Sequence, residues 1–252
     1  MNILGVDCET TGFDVKQERI TELGYVVWDT EKKTPLLIED SFLFDTTYTE
    51  KFTPEVVEMM ERVCGITPQI LQEWGRSPKE ELDTLEDVIE KHNIKHIVAH
   101  NGNAYDRPLL MAEMARNDVP TPFINKCMWL DTLVDIPFKT QPDSRKLKYL
   151  ACDHGFMNPF AHRAVFDVLT MLTLLSQYNI EEVIAYSRIP SKIIRALVSY
   201  DDREKAKSMK YMWEKCGDKT FAKCWVKVIK EDKVAAEIEA CKKQGFQAVA
   251  IA

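Results

Sequence analysis

Two carboxylates sit two residues apart at the end of the first apolar run, in Asp7-Cys8-Glu9-Thr10-Thr11-Gly12. Alternate residues of a strand share a face, so Asp7 and Glu9 aim at one spot. Acids at the end of a core strand are costly unless they are hydrogen-bonded or hold a cation; an isolated pair of this kind also suits the capping of amides in the next turn. A third acid, Asp106, closes Ala99-His100-Asn101-Gly102-Asn103-Ala104-Tyr105-Asp106 and opens a helix through Leu109, Leu110 and Met114, where it would serve equally as a cap. A fourth, Asp167, interrupts an apolar helical stretch and ends His162-Arg163-Ala164-Val165-Phe166-Asp167. Carboxylates are hard oxygen ligands suited to Mg²⁺ or Mn²⁺, and histidine is a base near neutral pH. Taken singly, each segment also has a structural use.

The elements that must position these groups follow from periodicity. Ile3 to Val6 is too short for a helix and reads as a buried strand; Ile20 to Trp28 and Pro35 to Phe44 are β-branched and aromatic runs separated by a polar turn. After Thr53-Pro54 the spacing becomes helical, with Thr53 as cap and Pro54 in the first turn; Gly65-Ile66-Thr67-Pro68 and Ser77-Pro78 start two further helices. Lys95 to His100 reads as a central strand, Pro108 to Arg116 as a helix and Cys127 to Leu130 as a short strand. Lys146 to Asp153 and Arg163 to Tyr178 read as helices. Strands first, then alternating helices and strands, imply a mixed sheet covered by helices.

In order and spacing, Asp-x-Glu-Thr-Thr-Gly, Asn-x-x-x-aromatic-Asp and His-x-Ala-x-x-Asp resemble the three motifs of the DEDDh, or DnaQ-like, 3′→5′ exonucleases. That group includes the proofreading subunit of the bacterial replicative polymerase, ribonuclease T and oligoribonuclease. The resemblance covers roughly residues 1 to 180 and includes the weaker landmarks Gly65-Ile66-Thr67 and Leu130-Asp131-Thr132. It implies an α/β, ribonuclease-H-like fold with a mixed five-stranded sheet flanked by helices, and hydrolysis with two Mg²⁺ or Mn²⁺ ions. Carried over by position, Asp7, Glu9, Asp106 and Asp167 would bind metal and His162 would be the general base. Thr10, Phe13, Asn101 and Tyr105 would hold the terminal nucleotide, with Tyr105 standing where the family usually has Phe. His100 and His154 read as structural. The implied substrate is a 3′ end of single-stranded or frayed DNA. Alternatives are an RNA-trimming or short-oligonucleotide nuclease, and an accessory protein that binds nucleic acid or a DNA polymerase.

The 252 residues are 45% hydrophobic and 29% charged with only 9 Gly and 11 Pro, a folded rather than a disordered composition. The net charge of −7 would ordinarily argue against a polyanionic partner, but it is unevenly spread. Residues 188–252 carry 15 basic and 9 acidic side chains, or +6, and the remaining 187 residues carry −13. Domains are accordingly expected at 1–187, the nuclease, and at 188–252, a small basic α+β module. In that module Ile193 to Tyr200, Phe221 to Ile229 and Phe246 to Ile251 read as strands, and Asp201 to Met209 and Val234 to Lys243 as helices. Arg203, Lys207, Trp213 and Trp225 are its candidate nucleic-acid-binding residues, because aromatics interleaved with cations suit single strands; a small core with a solvated charged face fits the same residues. No run of about 18 apolar residues suggests a membrane span, and the N-terminal residues do not resemble a signal peptide. Seven scattered cysteines without a Cys-x-x-Cys pair suggest free thiols, no structural zinc and a cytoplasmic setting.

Overall fold

The computed structural model describes residues 1–140, 142–214 and 223–251. The chain forms two compact units, Met1–Ser187 and Arg188–Ala252.

The first unit begins with β1 (Asn2–Thr10), β2 (Ile20–Asp29) and β3 (Thr34–Phe42), a meander of antiparallel pairs. Helices α1 (Pro54–Cys64), α2 (Pro68–Trp74) and α3 (Pro78–Lys91) follow. Each starts as its sequence predicts: Thr53, Thr67 and Ser77 accept a backbone N–H in the first turn, and a proline fills the first position. Then come β4 (His96–Ala99), α4 (Asp106–Arg116), β5 (Met128–Asp131), α5 (Leu147–Asp153), α6 (Ala164–Leu175) and α7 (Ile180–Ser187). The sheet order is β3-β2-β1-β4-β5, with β1, β4 and β5 parallel. This is the mixed five-stranded sheet, flanked by helices, that the sequence predicts.

Alternation along β1 divides the core into two layers. Leu4, Val6 and Cys8 pack with Leu82, Leu85, Leu109 and Leu110 of α3 and α4, whereas Ile3 packs with Val168, Met171 and Leu172 of α6. The layer under α6 is thin because two glycines line it. A Cβ on Gly5 would lie 2.7 Å from Val168 Cγ1, and one on Gly24 would lie 2.4 Å from the Val165 backbone nitrogen. The α6 N-terminus can therefore rest directly on β2.

Several boundaries differ from expectation. The apolar stretch expected to run as one helix to Tyr178 stops at Leu175, and α7 starts afresh where Asn179 Oδ1 accepts the Glu181 N–H at 2.9 Å. In the second unit the elements are β6 (Ser191–Leu197), α8 (Arg203–Ser208), β7 (Met212–Glu214), β8 (Cys224–Lys230), α9 (Val234–Lys243) and β9 (Gln247–Ala250). They form an antiparallel sheet of order β7-β8-β6-β9. The three-residue β7 was not foreseen, being too short to show a period. The expected strand start at Phe221 lies outside the described residues. Cys8, Cys64, Cys127, Cys152 and Cys241 are free, but Cys224 is disulfide-bonded. This corrects the expectation of free thiols throughout: spacing along the chain does not reveal which cysteines the fold brings together. No helix among the described residues is long and apolar enough to cross a membrane.

Replacing Gly24 by Ala should cost about 1–3 kcal/mol in urea unfolding, because the added methyl meets helix backbone. Gly5→Ala should cost less, since its nearest neighbours are side-chain tips.

Candidate active site

Because β1, β4 and β5 run parallel, their carboxyl ends share one edge of the sheet, the edge where open α/β sheets place their sites. A cleft of about 320 Å³ opens there, lined by Asp7, Glu9, Thr10, Phe13, Asn101, Tyr105, Asp106, His162 and Asp167. All nine candidates named from the first unit's sequence thus meet in one cavity. Cys8, Met59, Val63, Cys64 and His100 also line it. The first four were not singled out as lining residues because they are ordinary apolar positions in sequence.

Each acid is fixed by local backbone. The β1–β2 register shifts between Glu9 and Thr10, an irregularity that re-aims side chains at the strand end. The Cys8 N–H donates to Asp106 Oδ1 at 3.1 Å, tying the start of α4 to β1. Asp167 Oδ1 accepts from Asn158 Nδ2 at 2.6 Å, and its Oδ2 accepts the His162 N–H at 2.9 Å. The loop before Asp106 is held by Asp131 at the end of β5, whose carboxylate accepts the N–H groups of Asn101 (2.8 Å) and Asn103 (3.2 Å). Asn101 and His162 both adopt left-handed backbone, φ 65° and 64°, a conformation that persists where surrounding structure enforces it.

Burial dominates the electrostatics. It pushes the Asp7 carboxyl well above the ordinary range, with repulsion from Asp106, Asp167 and Glu9 adding to it. Burial, with Glu22 and Asp167 nearby, raises Glu9 to about 8, and burial raises Asp106 to about 7 against the opposing N–H of Cys8. Asp167 is also raised by burial, although the N–H and charge of His162 oppose this. Such a cluster stores protons that a cation would displace. Ligand atoms of Glu9, His162 and Asp167 lie within 4.8 Å of one another, and the crowded carboxylates beside them are the donor set a hard divalent cation needs.

A buried ion pair sets the His162 segment in place. Glu22, opposite Glu9 across the β1–β2 ladder, accepts from Arg163 Nε (2.9 Å) and Nη2 (2.7 Å) through Oε1, and from the Ala164 N–H (3.1 Å) through Oε2. Glu22 is fully buried. A lone Glu inside a β-branched strand was not read as functional, although an acid in a fully buried run was the available signal. A second hub, Glu113 of α4, binds Arg19 and Arg116, and Arg116 also donates to the Glu18 and Lys16 carbonyls. It fastens the loop that follows Phe13 onto α4.

Two histidines were expected to be structural. His154 bonds the Leu150 carbonyl and the Tyr178 hydroxyl. His100 bonds Thr132 Oγ1 at 2.9 Å, and burial pushes it down to about 4; it nevertheless lines the cleft.

The sequence profile of the RNase T exonuclease family matches residues 4–175. The chain belongs to this exonuclease family. No curated protein matches the sequence, and the structural likenesses are distant in sequence. The zinc-bound complex of E. coli exonuclease I with single-stranded DNA shares 14% identity at a TM-score of 0.64, covering 98% of this chain and 68% of that one. The nuclease domain of 3′hExo, a DEDDh family member bound to rAMP, gives 13% and 0.57 over 70% of this chain and 90% of that one. A 3′-exonuclease with 3′-end-specific recognition of a histone mRNA stem-loop gives 11% and 0.56 over 70% and 80%. These likenesses show the ribonuclease-H-like fold. As a DEDDh member the chain is a 3′→5′ phosphodiester hydrolase, and DEDDh exonucleases as a family depend on divalent metal.

Two outcomes follow from the geometry. A carboxyl raised on folding stabilises the protein below its unfolded pKa, about 4, and loses that contribution as pH rises through the folded value. In EDTA the melting temperature should therefore fall from about pH 5 to about pH 8, and Mg²⁺ or Mn²⁺ should restore it most at the alkaline end; a metal-independent melt would contradict the cation site. Arg163→Met should strand the Glu22 charge and cost about 2–3 kcal/mol in urea unfolding, whereas Arg163→Lys should cost less and still lower the cleavage rate, because it cannot make the paired bonds.

Proposed function

We propose that this exonuclease removes nucleotides from the 3′ end of single-stranded or frayed DNA, with Asp7, Glu9, Asp106 and Asp167 holding two Mg²⁺ or Mn²⁺ ions and His162 acting as general base. The observation that carries this is the meeting of all five groups in one cleft. Its volume is at the small end of the ~300–1,000 Å³ typical of small-ligand sites, so one unpaired terminal nucleotide is the natural occupant.

Held by Asp7, Glu9, Asp106 and Asp167, the ions would supply Lewis-acid stabilisation of charge at the scissile phosphate and would lower the pKa of the attacking water. His162 takes a proton from that water as its oxygen bonds to phosphorus. The bond from phosphorus to the 3′-oxygen breaks, releasing a nucleoside 5′-monophosphate, and the new 3′-hydroxyl gains its proton from solvent. His162 is exposed, so it can return its own proton to bulk water between turnovers. Asp167 holds the His162 backbone, and Asn158 holds Asp167. Phe13, 86% exposed at the rim, offers a stacking face for a base. Tyr105 and Thr10, joined at 2.5 Å, form the floor beneath the nucleotide.

The likeness to an enzyme bound to rAMP and to one that recognises a histone mRNA stem-loop supports RNA trimming as the second reading. The expected polymerase partner finds no such support.

Oligonucleotides labelled at the 5′ end, in DNA and RNA forms, should give a stepwise ladder shortened from the 3′ end in Mg²⁺ and none in EDTA. Asp7→Asn should abolish it, and His162→Ala should slow it by about 10²–10⁴-fold. The wild-type rate should climb between about pH 6 and pH 8, as Asp106 and Glu9 release to solvent the protons that compete with the metal. A faster ladder on RNA would move the assignment to the second reading, and tight binding without cleavage would overturn both.

A further inference from the structure

The helix-covered face of the second unit encloses a small core of Ile194, Ala196, Ala206, Tyr211, Cys241, Phe246 and Ala248. That core leaves two large aromatic side chains in solvent: Tyr200 is 78% exposed and Trp213 53%. Trp213 lies opposite Trp225 across the β7–β8 ladder, with ring centroids 5.5 Å apart, and Trp225 is half-buried against the core. Lys207 places its ammonium 5.9 Å from the centre of the Trp225 ring. One helical turn earlier, the Arg203 guanidinium lies 4.0 Å over Tyr200. The two cations are linked through Glu204, whose Oε1 is 2.6 Å from Lys207 Nζ and 3.6 Å from Arg203 Nε. Tyr200, Arg203, Lys207, Trp225 and Trp213 therefore form a stripe of aromatic and cationic groups, bridged between its two cations by Glu204.

We propose that this stripe binds single-stranded nucleic acid, with bases stacked on Trp213 and Tyr200 and phosphates at Arg203 and Lys207. Stacking faces open to solvent engage only unpaired bases, because bases in a duplex are already stacked on each other. The surrounding charge agrees: residues 188–252 carry +6 in a chain whose net charge is −7. Glu204 holds both cations in place until a phosphate displaces it, so it competes with the strand. The inference takes its ligand class from the exonuclease reading, but it concerns residues outside the cleft.

The test uses the full chain in EDTA, where nothing is cleaved, with fluorescently labelled dT and U oligomers of about 30 nucleotides and a duplex of equal length. By anisotropy, Trp213→Ala and the double variant Arg203→Ala with Lys207→Ala should each weaken single-strand binding about tenfold. The double variant should also lower the slope of log affinity against log salt by about 1.4, the value for two phosphate contacts on a single strand. Glu204→Gln should tighten binding. Cleavage of a trinucleotide in Mg²⁺ should be unchanged in all three, which separates loss of the stripe from damage to the cleft. Should Trp213→Ala fail to fold, Tyr200→Ala replaces it. Comparable losses on dT and U fit a site that reads stacking and phosphate, and a loss on one alone assigns the strand it serves. Wild-type affinity in the variants, or a duplex bound as tightly as the single strand, would overturn the proposal. A wild type that cleaves no trinucleotide would instead refute the reading of the cleft.

Discussion

The first unit is organised around an electrostatic problem, the crowding of four carboxylates at the carboxyl end of β1. Asp7 is half-buried, and its carboxyl is desolvated and repelled by Asp106, Asp167, Glu9 and Glu22. Arg163, the protein cation that lowers Glu9, is already engaged with Glu22 and stands 3.7 Å from Asp40. Protons or a cation from solution must supply the remaining balance. The same acidity repels a phosphate backbone until it is neutralised, so on the proposed function metal uptake and substrate entry would be coupled through one set of charges. The bulk charge of the chain therefore says little about its partner: an acidic cleft and a polyanionic substrate are compatible once a divalent cation lies between them.

Holding such a cluster together requires rigid surroundings. Gly5 and Gly24 let α6 settle onto β1 and β2, bringing Asp167 against the strand that carries Asp7 and Glu9. The Glu22 pair with Arg163 then fixes the residue between His162 and Ala164, and the Ala164 N–H closes the connection. Glu113 does the corresponding work for the loop after Phe13. Left-handed backbone at Asn101 and His162 lies within this same frame. The unfavourable conformations sit where the Asn101 and His162 N–H groups donate to the Asp131 and Asp167 carboxylates, which enforce them.

Legibility in the sequence followed the range of the interaction. The acids and His162 were readable because their spacing within each segment is set by one strand or one helix turn, and the three segments occur in a family order. The α1, α2 and α3 starts were readable for the same reason, since a Thr-Pro or Ser-Pro pair acts within a single turn. Glu22 and Asp131 were not seen as supports: their partners, Arg163 and Asn101, lie 141 and 30 residues away. His100 could be read as structural but not as part of the cleft wall, because its place depends on how β4 and β5 end together. The break between α6 and α7 was missed because the apolar run continues across it, and only the Asn179 side chain marks the new start.

Tyr105 shows how one departure from the family pattern alters local chemistry. Its hydroxyl donates to the Gly12 carbonyl at 2.6 Å and meets Thr10 Oγ1, which lies 2.7 Å from the same carbonyl. Burial holds the phenol protonated, pushed up to about 12. Each hydroxyl has one proton, and both are used inside this triangle. Thr10 Oγ1 already accepts the Gly12 N–H at 3.3 Å, so with its proton engaged it has at most one lone pair to offer. A Phe at this position would free the Thr10 proton to turn elsewhere, but it would leave the loop at Gly12 without its tie to α4. On the proposed reading of the cleft, Tyr105 leaves Thr10 to meet the nucleotide as an acceptor. That polarity suits a terminal sugar hydroxyl, which has a proton to give, and disfavours an ionised phosphate, which has none.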